Sequence, residues 1–85
     1  MKTLKAYLEQ ENRWTAIFGG PALTLDSAED RQKIADKIDS ALSPENLTCD
    51  GELSRSQVQA RYRLLTQAAR ELKALDSSVT FYEFN

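Results

Sequence analysis

Apolar positions recur at helical spacing in three stretches of this 85-residue chain. The longest contains Val58, Tyr62, Leu65, Ala69, Leu72 and Leu75, at intervals of three and four, and predicts one amphipathic helix over 55–75. Its start is marked twice. Ser54 and Gln57 have the spacing of a capping box, and Leu53 and Val58 hold the two positions of a hydrophobic staple. A second stripe, Ile34, Ile38, Ala41 and Leu42, predicts a helix over 28–42, opened by the Ser27–Asp30 capping pattern and closed before Pro44, which drives its predecessor out of helical geometry. Leu4, Tyr7 and Leu8 predict a short helix over 3–12, with Thr3 available as N-cap and Asn12 as a left-handed stop.

Two segments follow a different pattern. Trp14 to Phe18 and Ala22 to Leu25 are β-prone and flank Gly19-Gly20, a pair that supplies the positive φ angles of a tight turn; they predict a hairpin with strands at 14–18 and 22–25. The run Val79-Thr80-Phe81-Tyr82-Glu83-Phe84 is dense in β-branched and aromatic residues and needs a partner edge, which the hairpin would offer, so 79–84 is expected as a third strand. The expected fold is therefore α+β: a helix-dominated single domain over 1–85 with three helices and a small sheet. The alternative is an all-α three-helix domain with an extended C-terminal tail, in which Leu4, Leu8, Glu11, Trp14 and Phe18 continue one helical face and Gly-Gly-Pro ends it.

Composition narrows what such a domain can do. With 41% apolar and 28% charged residues the chain has the balance of a folding globular domain, and its length suits a single core. Eleven basic and thirteen acidic side chains leave a net charge of −2, which creates no long-range attraction for nucleic acid or an anionic membrane. A lone cysteine, Cys49, cannot form an internal disulfide. Together with the missing apolar core of a signal peptide after Met1-Lys2-Thr3-Leu4-Lys5, it points to the cytoplasm. No stretch approaches the roughly eighteen consecutive apolar residues of a membrane span.

Candidate chemistry is sparse. The chain has no histidine, which removes Cys-His and Ser-His catalysis and, with one cysteine, zinc sites built from those residues. Asp26, Glu29, Asp30, Asp36 and Asp39 read as helix-start and surface charges, without a distinct acid/base pair. Residues 46–57 can be laid over a calcium-binding EF-hand loop, with Asn46, Thr48 and Asp50 as first ligands and Gly51 in the sixth position. The twelfth is Gln57, however, which lacks the bidentate carboxylate, and the same residues are explained by an Asp50-Gly51 turn and the helix cap. Asn46-Leu47-Thr48 has the glycosylation pattern, without meaning in a chain that is not secreted, and Gly19-Gly20 lacks the rest of a phosphate loop. No catalytic residue, cofactor or metal is expected.

Two functional readings remain, from different classes. The first is a small non-catalytic protein–protein interaction module, able to form a homodimer, whose interface comprises Trp14, Phe81, Tyr82 and Phe84. Alternation along a terminal strand would turn Phe81 away from Tyr82 and Phe84 and leave one aromatic side accessible. The second is a nucleic-acid-associated regulator using Arg55, Arg61 and Arg63 on the basic face of the third helix. It is weakened by the near balance of five basic and four acidic side chains over 51–85.

Overall fold

A computed structural model describes residues 2–83. Four helices follow in order: α1 (Lys2–Ile17), α2 (Ala28–Leu42), the single turn α3 (Pro44–Leu47) and α4 (Arg55–Leu75). Among the described residues there is no strand, so the expected small sheet is absent and the all-α alternative is the one adopted.

The hairpin over 14–18 and 22–25 is replaced by a longer first helix. Trp14 to Ile17 continue α1, and Gly19, at φ +79°, ends it in a Schellman arrangement. The Gly20 N–H donates to the Thr15 carbonyl at 2.9 Å and the Gly19 N–H to the Ala16 carbonyl at 3.1 Å. The positive φ that a hairpin turn requires is the same one that a helix C-terminus requires, and the local sequence serves both. Asn12, read as a stop, sits inside α1. Its side-chain amide donates to the Leu23 carbonyl and accepts from the Leu23 N–H, both at 2.9 Å. That clamp gives the returning segment 22–25 the paired hydrogen bonds a neighbouring strand would have supplied.

The expected C-terminal strand is corrected on the same physical ground. Over its described part the tail is extended in pattern, with Val79 and Phe81 buried and Thr80 and Tyr82 exposed, but its backbone is satisfied by helix side chains. Gln32 of α2 clamps Thr80 through both N–H and carbonyl at 3.1 Å, Lys73 of α4 donates to the Val79 carbonyl at 2.5 Å, and Asp39 of α2 accepts from the N–H groups of Tyr82 (2.6 Å) and Glu83 (3.0 Å). Phe84 lies outside the described residues.

The helices over 28–42 and 55–75 occupy the predicted ranges. Ser27 caps α2 by accepting from the Asp30 N–H, while the Asp30 carboxylate turns instead to the Thr24 N–H at 3.0 Å. Ser54 and Gln57 close the full capping box of α4. The core is one cluster in which α4 is central: Leu65, Ala68, Ala69 and Leu72 meet Leu4 and Tyr7 of α1, Ile34, Ala35, Ile38 and Leu42 of α2, and Val79 and Phe81 of the tail. Two polar ties fix the directions. Arg31 near the start of α2 pairs with Asp76 at the end of α4 at 2.7 Å, and the Leu4 N–H at the start of α1 donates to Glu71 at 3.0 Å, so both helices run antiparallel to α4. No helix is long and apolar enough to cross a membrane among the described residues.

Candidate functional site

Beyond Tyr7, no residue of α1 is buried, and Leu8, Glu11, Asn12 and Thr15 are half-buried. The end of this helix carries Trp14, Ile17 and Phe18, at helical spacing and 54%, 71% and 81% exposed. The Trp14 and Phe18 rings stack with centroids 6.4 Å apart and planes 17° from parallel. No charged side chain occurs between residues 14 and 25, so the segment that carries this ridge is itself uncharged. The three residues expose on the order of 400 Å² of side chain, the scale of a functional patch on a small protein.

The other residues expected at an interface are distributed differently. Phe81 is 8% exposed and belongs to the core, Tyr82 is 86% exposed, and Phe84 falls outside the described residues. Trp14 and Tyr82 are thus accessible, whereas Phe81 is committed to holding the tail. Ile17, which sequence reasoning does not select, completes the ridge; the signal for it is the continuation of the α1 period through Phe18.

Where α1 crosses α4 a groove of about 300 Å³ opens, lined by Tyr7, Gln10 and Glu11 from α1, Ala41 from α2, and Ala60, Arg61, Leu64 and Leu65 from α4. It shares Tyr7, Glu11, Ala41 and Arg61 with an adjoining hollow of about 420 Å³ that reaches Lys37, Asn46 and Cys49. Glu11 and Lys37 face one another at 3.9 Å across its rim. Burial, with the negative charge of Glu11 adding to it and Arg61 opposing, pushes the Tyr7 phenol well above its ordinary pKa.

The three arginines of the basic face separate. Arg55 and Arg63 are exposed, while Arg61 is half-buried in the groove. The spacing of 61, 65, 68 and 72 places Arg61 one turn before three buried residues, a signal that the sequence contains and that the basic-face reading passes over. In the loop laid over an EF-hand, Asn46 donates to the Ser40 carbonyl at 2.7 Å, Thr48 donates to the Pro44 carbonyl at 2.9 Å, and Gln57 is held in the α4 cap. Among the described residues no three of His, Cys, Asp and Glu gather as metal ligands would. Cys49 is exposed, with a left-handed φ of 49°.

Comparison with protein-family models, curated proteins and solved structures returned no match, so the functional reading rests on this geometry.

Proposed function

We propose that this chain is a non-catalytic protein–protein interaction module whose contact surface is the Trp14–Ile17–Phe18 ridge at the end of α1. The observation that carries the reading is the stacked, solvent-facing Trp14–Phe18 pair beside exposed Ile17. The core closes without these side chains, and leaving them in water costs free energy that a partner surface recovers. Buried Trp and Phe at the centre of an apolar patch are the anchors from which interfaces draw most of their affinity. A second copy of the ridge and a different protein are both partners of the required chemistry.

Trp14 is the only tryptophan and reports directly on occupancy. Concentration-dependent mass by analytical ultracentrifugation, combined with retention of partners on an immobilised chain, is the primary test, with a blue shift of Trp14 emission as the local readout. Phe18→Glu should weaken the association by about thirtyfold or more while leaving the helical circular dichroism unchanged. A wild-type chain that stays monomeric at all concentrations, with the same retained proteins as Phe18→Glu, would refute the reading.

A further inference from the structure

Arg61 Nε is a buried side-chain nitrogen with no hydrogen-bond partner among the described residues, and the guanidinium has no carboxylate within ion-pair distance there. Such a group costs free energy in the free protein, because a hydrogen bond made to water in the unfolded chain is lost on folding. Arg61 is held in this position by its place on α4, one turn ahead of Leu65 and two ahead of Ala68 on the face directed at α1 and α2. Beside it, Tyr7 lines the same groove with a phenol that is protonated at neutral pH and able to donate. The nearest carboxylate lining the groove, Glu11, faces Lys37 instead.

We propose that the groove between α1 and α4 is a binding site for a small organic monocarboxylate, its carboxylate accepting from the Arg61 guanidinium and the Tyr7 hydroxyl and its apolar body lying on Ala41, Ala60 and Leu64. Charge complementarity selects the class. Arg61 is the one cation lining the groove among the described residues, and Glu11 on the same wall, with Glu45 and Asp50 in the adjoining hollow, opposes a multiply charged phosphate more strongly than a single negative charge set against Arg61. The planar guanidinium suits a carboxylate geometrically. The apolar lining requires a hydrocarbon portion, and a volume of about 300 Å³, at the lower end for ligand sites, keeps it to a few carbon atoms. This site is separate from the ridge and does not depend on it.

The test is an amide-resolved NMR titration of the full chain at neutral pH with hexanoate, with hexanamide as the matched neutral probe. A third probe, an acetylated alanine tripeptide with a free C-terminus, distinguishes a peptide carboxylate from a free acid. The expected result is saturable shifts centred on residues 7, 41 and 61 with at least one of the two carboxylates and none with hexanamide. Arg61→Gln should weaken binding by about tenfold or more, the loss expected when a charged hydrogen-bonding partner is removed. Tyr7→Phe should weaken it less. Arg61→Gln keeps the stem and an uncharged polar end of the side chain and should fold, which an unchanged helical circular dichroism spectrum checks. No saturable shift with either carboxylate at tens of millimolar, equal shifts from hexanamide, or undiminished binding by Arg61→Gln would overturn the proposal.

Discussion

Two single residues decide more of this structure than their types suggest. Asp39 belongs, by composition and position, with the other carboxylates of α2, all of which the sequence pattern assigns to the surface. It is instead buried and caps the N–H groups of Tyr82 and Glu83, holding the tail down behind Phe81. Replacing Asp39 with Ala should therefore destabilise the fold by about 1–3 kcal/mol, the cost of leaving donors unpaired where water cannot fully replace the acceptor. Urea denaturation gives the stability loss, and hydrogen exchange at the Tyr82 and Glu83 amides should accelerate selectively; unchanged protection at those two amides would contradict the account. Arg61 is the converse case, since a residue type that usually marks a solvated face lies on the buried side of its helix. In both, the helical position outranks the chemical character of the side chain.

At the scale of elements, the contest lies between period two and period three-point-six over residues 14–25. The β-prone composition of this segment favours strands, and tertiary packing overrides that preference, as it does wherever propensity is a fraction of a kcal/mol per residue. Gly19 is compatible with either outcome. At φ +79°, with no atom beyond its chain neighbours within 4 Å of where a Cβ would stand, Gly19→Ala should cost about 1 kcal/mol from backbone conformation alone. Thermal melts measure it, and circular dichroism should show α1 otherwise intact. The two clamps, Asn12 on Leu23 and Gln32 on Thr80, explain why a sheet is dispensable. Each side-chain amide pairs with one backbone N–H and one carbonyl, as an adjacent strand residue would, so two extended segments reach hydrogen-bond balance against helices.

The whole molecule is tied across its helices by carboxylates, which makes its stability depend on acid. Hydrogen bonds from Ser78 and Arg31 hold the Asp76 carboxyl down to about 2, and the Leu4 N–H lowers Glu71. A carboxyl whose pKa is depressed on folding stabilises the folded state above its unfolded value, about 4, and that contribution disappears as the pH falls through the folded value. Urea midpoints should stay level from neutral pH to about 5 and decline between about 4 and 2. Asp76→Asn should be less stable than wild type at neutral pH and should converge with it over that acid range. A constant gap from neutral pH to about 2 would mean that Asp76 acts through shape rather than charge.

The sequence by itself determined the two helices whose boundaries are chemically punctuated. For α4 the marks are Ser54, Gln57 and an unbroken apolar stripe, and for α2 they are Ser27 and Pro44; caps and proline act through neighbouring backbone and need no distant partner. It also determined the alternation of the tail, because any extended conformation puts Val79 and Phe81 on one side and Thr80 and Tyr82 on the other. Only the tertiary structure decided what the β-prone segments would pair with, where α1 would end, and that the aromatic surface left open would be Trp14, Ile17 and Phe18 while Phe81 was buried. The same holds for the groove, whose walls come from α1, α2 and α4 and whose arginine, with Nε unpartnered among the described residues, is recognisable only once Tyr7, Glu11 and Arg61 line one space. The division follows from range. Caps, turns and periodicity are encoded within a few residues, whereas hydrogen-bond balance and exposure depend on which distant helix lies alongside.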